Sequence, residues 1–405
     1  MPVTDEKTIQ DFIDRRVDTV IPGKPQLKKL LTSGKKIRLY QGFDPSSPNL
    51  HIGHLVGVLT LKALQELGHE VIFLIGDFTA SIGDPTGKSQ ARNVITFEQV
   101  TENAKTYKKQ AGLLLDFEGD NAVQIKRNSE WNQPLKFADI IQLSQHFTVQ
   151  QMIERDMFQD RLNANKEIYL NEFLYPLVQG FDSVAMEVDL EVGGSDQLFN
   201  MMAGRKLVKE KLNKEKFVVT TPLLADSSGK KIGKTEGNAI NIINPPEEFF
   251  GQIMSLPDDA IMPCFKLITL IPTEELPKLE KQVQTNPMEA KKRLAQELLT
   301  MLHGAHAAQK GIDHFEKTIQ GNALPQDIPT IAARELVSDQ QNSISLLTLL
   351  TTTNLTSTNS QARRLIQQNA VSINGQKITD PNSEIAIKPG MIVKAGKRKY
   401  IKITK

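Results

Sequence analysis

The sequence predicts an α/β fold: a doubly wound parallel sheet, then an α-helical region, then a small α+β module. Three observations carry this. Through residue 243, short apolar runs bounded by loops alternate with segments of helical period, the signature of strands crossing over through helices. One run, Val71-Ile-Phe-Leu-Ile75, is apolar without a break, as a strand covered on both faces must be. Past Ile243 the strand pattern stops, and short alternating runs return only near the end of the chain.

Taken in order, Lys36 to Gly42 reads as a strand, and Asp44-Pro-Ser-Ser-Pro48 as a turn-rich stretch. Ile52 to Leu67 has helical period. His69 to Asp77 contains the buried strand, with a glycine-rich loop expected from Gly76 to Ser89. An amphipathic segment runs from Phe97 to Leu114, a strand from Ala122 to Lys126, and helices from Leu135 to Leu143 and from Tyr169 to Met186. Val188 to Val192 alternates like a strand and enters Gly193-Gly-Ser-Asp196, where Ser195 is the expected N-cap of a helix reaching Leu212. Phe217 to Leu224 is a further strand. Ligands of such a sheet belong at the carboxyl ends of its strands. The resulting division is a sheet domain over 1–243, a helical domain over 244–325, a polar, proline-containing linker over 326–344 and the α+β module over 345–405.

Composition narrows the function. The 405 residues carry a net charge of +2, a 24% share of charged residues and a single cysteine, Cys264. An intrachain disulfide and a cysteine-rich zinc site are thereby excluded. The N-terminal residues form no signal peptide, and no apolar run approaches the roughly 20 residues that span a bilayer, so a soluble, cytoplasmic protein with no membrane partner is expected. The charge is unevenly placed: Gln341 to Lys405 carries +8, leaving −6 on the remainder. A basic module on an acidic body points to a polyanionic partner, the alternative being a merely soluble basic tail.

Three stretches suggest chemistry. In His51-Ile-Gly53-His54, two histidines three apart open a helix around a glycine, where backbone N–H groups and the helix dipole favour an anion. A metal pair is the weaker reading, since no cysteine cluster or third ligand lies nearby, and no metal site is expected. Gly83-Asp84-Pro-Thr-Gly-Lys88-Ser89 imitates a phosphate-binding P-loop, but the first glycine of that motif falls on Ile82, so the match fails. Asp84 is left either as a ligand for an ammonium group or as a turn residue. Finally, Asp226-Ser-Ser-Gly-Lys230-Lys231-Ile232-Gly-Lys234-Thr235 places three lysines in a glycine-rich loop able to close on a pyrophosphate, against the alternative of a solvated turn.

In combination these residues resemble class I aminoacyl-tRNA synthetases, and among them the bacterial tyrosyl-tRNA synthetases. His51-Ile-Gly53-His54 is similar to the first signature of the class, and Lys231-Ile-Gly-Lys234-Thr235 to a variant of its Lys-Met-Ser-Lys-Ser second signature. Tyr40-Gln-Gly42-Phe-Asp44, Ile82-Gly-Asp84-Pro, Tyr175-Pro-Leu-Val-Gln179-Gly-Phe-Asp182 and Val192-Gly-Gly194-Ser-Asp196-Gln197 carry the narrower likeness. Residues 360–375 are similar to the S4-type RNA-binding domain appended in that family. Tryptophanyl relatives share the sheet and both signatures but lack that module and have no reason to set Tyr40 opposite Asp182. A synthetase-like protein without catalysis would show eroded signatures, yet His51, His54, Lys231 and Lys234 all stand.

The resemblance implies a Rossmann-like catalytic domain and a tyrosine-tRNA ligase. Tyrosine would lie with its phenol between Tyr40 and Asp182, its ammonium on Asp84, Tyr175 and Gln179, and its carboxylate near Gln197. ATP, with Mg²⁺, would lie against Gly42, Asp44, Gly53, Gly194 and Asp196, with His51, His54, Lys231, Lys234 and Thr235 on the phosphates and no tightly bound cofactor. Attack of the tyrosine carboxylate on the α-phosphorus would give tyrosyl-adenylate and pyrophosphate, and tyrosine would then pass to the 3′ end of its tRNA. Lys88 and Arg92 match positions near either the ATP phosphates or the tRNA acceptor end. Arg363, Arg364, Lys377, Lys397 and Arg398 would meet RNA phosphates, and a homodimer is implied. Residue patterning agrees at one point: Tyr175, Gln179 and Asp182 fall on one helical face, as a pocket wall requires.

Overall fold

The structure, a computed structural model, describes residues 1–86, 95–226, 229, 231–232, 239–317, 328–337, 343–396 and 399–404. They form two compact units, Met1–Ile312 and Asp313–Lys405.

The first unit is organised by a six-stranded sheet: β1 (Val20–Ile21), β2 (Arg38–Phe43), β3 (Glu70–Ile75), β4 (Gln124–Arg127), β5 (Leu190–Gly194) and β6 (Phe217–Thr221), in spatial order 1-6-5-2-3-4. Strands β2 to β6 are parallel, as the alternating pattern predicts. The edge strand β1 departs from it by running antiparallel to β6, and at two residues it is too short to show any periodicity. Residues Val71 to Ile75 of β3 are all buried, which accounts for their unbroken apolarity. The helix Leu55–Glu66, apolar on nearly every face, is buried as the crossover between β2 and β3.

The chain runs from β2 outward to β3 and β4, then returns to the other side of β2 at β5. The sheet therefore reverses direction between β2 and β5, and the crevice beyond their carboxyl ends is where such sheets bind ligands.

Two local expectations change. The stretch from Gly76 is not wholly loop, because Asp77–Ile82 is helical and Asp77 accepts hydrogen bonds from the Ser129 backbone N–H (2.9 Å) and hydroxyl (2.8 Å). Ser195 lies inside a 3₁₀ turn, Ser195–Gln197, ahead of the helix Leu198–Leu212, rather than capping that helix.

Of residues 244–325, expected as a helical domain, those up to Ile312 lie in the same compact unit as the sheet. Their helices, among them Pro246–Met254, Ile261–Ile268 and Pro287–His303, enclose Phe249, Phe250, Phe265, Leu294 and Leu298. Arg16 ties the N-terminal helix to them by donating to the carbonyl of Leu267 (2.6 Å). Cys264 lies in this core, where burial pushes its thiol up to about 12, so it is a packing residue rather than a nucleophile.

The second unit holds β7 (Thr330–Ala332), β8 (Ser343–Ser345), β9 (Val371–Ile373), β10 (Gln376–Lys377), β11 (Glu384–Ala386), β12 (Ile392–Ala395) and β13 (Lys399–Thr404). Five of them form a sheet in the order 10-9-12-13-7, and β11 pairs with β8. Strand β7 falls in the stretch expected as a linker, yet it pairs with β13 in register Lys402 to Thr330. The helix Asn359–Gln367 buries Ala362 and Ile366, four apart, against this unit's core and leaves Arg363 and Arg364 exposed.

Candidate active site

A cavity of about 710 Å³ opens at the carboxyl ends of the parallel strands, lined by residues of β2, β5 and the segments that follow them. Its size and its mixed apolar and polar walls suit a small-molecule site. Tyr40, Gly42, Asp44, His51, Gly53, His54, Asp84, Tyr175, Gln179, Asp182, Gly194, Asp196, Gln197 and Lys231 all line it, so residues spread over nearly 200 positions of the sequence converge on one space. Lys234 and Thr235 lie outside the described residues, as do Lys88 and Arg92.

At one end stand the two histidines. His51 Nδ1 accepts a hydrogen bond from the Gly53 backbone N–H (3.1 Å), and His54 Nδ1 accepts one from the His51 N–H (3.0 Å). With both Nδ1 atoms acting as acceptors, each neutral ring carries its proton on Nε2, and both are fixed as donors for an anion. The ring centroids lie 3.9 Å apart. The second signature closes against this turn. Residues Ile240 and Ile242 exchange backbone hydrogen bonds with Ile52 and Leu50, and a Cβ on Gly53 would stand 3.0 Å from the carbonyl oxygen of Ile232. Only glycine lets the two signatures approach so closely. Lys231 reaches Asp196, with Nζ to Oδ2 at 2.9 Å, in a part-exposed pair.

At the other end the walls are buried. Asp182, 1% exposed on the helix Leu170–Ala185, accepts hydrogen bonds from Trp131 Nε1 (2.7 Å), Asn132 Nδ2 (2.9 Å) and Asn128 Nδ2 (3.1 Å). Burial raises its carboxyl to about 7, although the three donors pull the other way. Tyr40, also 1% exposed, bonds through its hydroxyl to Ser183 Oγ at 2.9 Å, and burial beside Glu191 and Asp182 holds that phenol well above its usual range. Between the ends, the Tyr175 hydroxyl donates to Asp44 Oδ2 (2.9 Å), and Gln197 Nε2 donates to Asp84 Oδ2 (2.8 Å). Asp84 Oδ1 accepts from the backbone N–H (3.0 Å) and hydroxyl (2.6 Å) of Thr86, a turn bond that coexists with its place in the cavity wall. Arg155, stacked 4.6 Å over Phe199, donates to that same Thr86 hydroxyl at 2.8 Å.

Sequence reasoning missed Asn128, Trp131, Asn132, Arg155, Ser183, Glu191 and Lys216. A signal existed for the first group: the lone tryptophan of the chain sits between two asparagines on one helical turn after β4. Asp44, expected near the nucleotide, is bound to Tyr175 and to the Thr79 hydroxyl (2.7 Å). Among the described residues no group of three or more His, Cys, Asp or Glu side chains is arranged to hold a metal.

On the second unit, Arg363, Arg364 and Lys377 are exposed, while Lys397 and Arg398 lie outside the described residues. Two neighbouring cations are held within the unit, Lys399 on the carbonyl of Leu355 (3.1 Å) and Lys394 over the Tyr400 ring (5.2 Å).

A family model for class I tRNA synthetases of the tryptophan and tyrosine type matches residues 32–320, and one for the tyrosine–tRNA ligase C-terminal domain matches 321–403. The chain is 42% identical over 401 residues to the tyrosine–tRNA ligase of Dehalococcoides mccartyi (strain CBDB1), covering 98% of each chain. The chain belongs to the tyrosine–tRNA ligase family. It is also 43% identical over 383 residues, 94% of each chain, to tyrosine–tRNA ligase 2 of Pseudoalteromonas translucida. Among solved structures, a C-terminally truncated mitochondrial tyrosyl-tRNA synthetase of Coccidioides posadasii superposes with a TM-score of 0.62 at 25% identity, covering 76% of this chain and 91% of that one. The family accounts for two unlike ends in one cavity, because its reaction joins an amino acid to a nucleotide.

Proposed function

We propose that the cavity activates L-tyrosine with ATP, giving tyrosyl-adenylate and pyrophosphate, and that tyrosine then passes to the 3′ end of tRNA. The observation that supports this most is the polarity of the cavity from end to end. A buried acceptor, Asp182, held by three donors, lies at one end, and the imidazole pair with Lys231 lies at the other. The first suits a phenol hydroxyl and the second a polyphosphate.

The substrate ammonium is assigned to Asp84, Tyr175 and Gln179, and the carboxylate to the neighbourhood of Gln197. ATP lies along Gly42, Asp44, Gly53, Gly194 and Asp196. As the carboxylate oxygen bonds to the α-phosphorus, the bond to pyrophosphate breaks and charge moves onto the leaving oxygens. His51, His54, Lys231 and Lys234 are assigned to favour that state by donating to it, and Thr235 is assigned to the same phosphates. No protein nucleophile or base is needed, since tyrosine brings its own carboxylate. Mg²⁺ enters as part of the nucleotide substrate, on phosphate oxygens and water.

Arg363, Arg364, Lys377, Lys397 and Arg398 are assigned to tRNA phosphates, and the cytoplasm is the proposed site of action. No described helix is long and apolar enough to cross a membrane. The proposed homodimer has support in six exposed apolar side chains within 137–170, among them Phe137 (81% exposed) and Leu170 (79% exposed). Phe137→Asp is expected to halve the mass measured by sedimentation equilibrium.

The test of the catalytic reading is pyrophosphate exchange with each amino acid in turn. Exchange dependent on tyrosine is expected, and its absence in the presence of ATP and Mg²⁺ would refute the assignment.

A further inference from the structure

Beneath the amino-acid end of the cavity lies a buried cation that the adenylation chemistry does not use. Lys216, immediately ahead of β6, is 0% exposed. Its ammonium donates to Ser183 Oγ (2.8 Å), to the Met201 carbonyl (3.2 Å) and to Glu191 Oε2, so its three protons meet three acceptors. The fold makes room for it. A Cβ on Gly204 would come within 2.6 Å of Lys216 Nζ and 2.9 Å of Ser183 Oγ. Enclosing an ammonium is costly, and burial indeed lowers this one's proton affinity, with Glu191 opposing the shift.

What the ammonium fixes is the direction of the hydrogen bonds above it. Glu191 is the register partner of Tyr40 across β5 and β2. Its Oε1 accepts from Gln179 Nε2 at 3.0 Å. A carboxylate accepts only, so the Gln179 amide is set with its nitrogen toward Glu191. Its Oε1 is then a buried acceptor with no hydrogen-bond partner among the described residues, on a residue that lines the cavity. The hydroxyl pair obeys the same logic. Ser183 Oγ accepts from Lys216, which only donates, so its own hydrogen is turned away from the ammonium, and the Tyr40 oxygen at 2.9 Å is a nearer acceptor for it than Glu191 Oε2 at 3.4 Å. The Tyr40 hydroxyl, 2.9 Å from Ser183, therefore accepts from that side and keeps its own proton for the cavity.

We infer that Lys216 is a positioning residue for substrate choice: by holding Glu191 and Ser183 it presents an acceptor, Gln179 Oε1, and a donor, the Tyr40 hydroxyl, to a ligand bearing one ammonium and one phenol hydroxyl, whose own proton goes to Asp182. The inference rests on the cavity taking tyrosine, and it adds a reason why phenylalanine is refused. Phenylalanine offers the ammonium and leaves the Tyr40 proton without an acceptor and Asp182 without a donor. Sites built around a substrate hydroxyl reject its deoxy analogue strongly for this reason.

The test measures kcat/KM in pyrophosphate exchange with L-tyrosine and with L-phenylalanine, and KM for ATP, in the full chain carrying Lys216→Met or Ser183→Ala. Lys216→Met disturbs both groups. Its tyrosine-to-phenylalanine ratio is expected to fall about tenfold, with phenylalanine also weakened through Gln179 and KM for ATP within about twofold. Ser183→Ala removes a single oxygen and leaves the ion pair in place, so the ratio is expected to fall about fivefold through tyrosine alone. If Lys216→Met does not melt cooperatively, Ser183→Ala decides. An unchanged ratio in a folded variant overturns the inference, as does a parallel loss toward both amino acids and ATP, which marks a prop of the fold. A wild-type chain inactive with tyrosine overturns the tyrosine reading itself, a different result from an unchanged ratio.

Discussion

The two ends of the cavity are built on opposite plans. At the amino-acid end, Tyr40, Asp182, Glu191 and Lys216 are all buried, and each is fixed by neighbours that are themselves fixed. At the nucleotide end, His51, His54 and Lys231 are partly exposed, and Lys231 rests on Asp196, a contact of little strength in solvent. The difference follows the task. Choosing tyrosine over phenylalanine means penalising the loss of one hydroxyl, which only enclosed, pre-oriented groups do well. Favouring a transition state means meeting charge that exists only briefly, so a cation can leave a weak resting partner for the phosphates as charge develops.

If that division is correct, substitutions at the two ends fail differently. The largest effect is expected for Asp182→Ala: kcat/KM for tyrosine falls about 10³-fold or more, while activity with phenylalanine barely moves and the discrimination between them collapses. Steady-state exchange with both amino acids reads this directly. Equal losses for both would break the contrast. Lys231→Ala comes next. Its expected cost is about 10²-fold in kcat, the scale of one lost transition-state donor, with tyrosine KM within about twofold. A raised tyrosine KM would show that the nucleotide end also holds the amino acid in the ground state.

Legibility in the sequence divides along the same line. His51, Gly53 and His54 are contiguous, and their hydrogen bonds run among themselves, so the pattern of letters already contains the local geometry. Tyr175, Gln179 and Asp182 are legible through helical spacing, and the structure puts all three in the cavity wall. The parallel sheet is legible because burial on both faces of β3 leaves no polar position in Val71–Ile75. What holds Asp182 and Tyr40 is not legible. Trp131 meets Asp182 from 51 positions away, and its place between two asparagines marks a site without naming that partner; Lys216 meets Ser183 from 33 positions away and carries no periodicity or motif at all. A lysine ahead of a strand reads as a surface charge until the fold encloses it. For the same reason β7 was expected within a linker: three residues show no alternation until β13 lies beside them.

The smallest expected effect probes the buried end most finely. Asp182 accepts the phenol proton most strongly when ionised, and its carboxyl is raised to about 7. Tyrosine affinity should therefore be about half lost near pH 7, fully present above about pH 8, and fall by up to about tenfold per unit below about pH 6, while phenylalanine binding shows no such step. Trp131→Phe keeps the ring and deletes the 2.7 Å donor to Asp182 Oδ1. That donor holds the carboxyl down, so its loss moves the midpoint upward, by about one unit for a hydrogen bond of ordinary worth to a charged group. At pH 7 the ionised fraction would drop from about a half to about a tenth, a fivefold loss of tyrosine affinity that shrinks toward none by about pH 8.5. Titrating tyrosine binding between about pH 6 and 8.5 in both proteins separates this from a packing defect, which would weaken binding equally at every pH. A midpoint unmoved in Trp131→Phe would mean that Asn128 and Asn132 alone set the charge of Asp182.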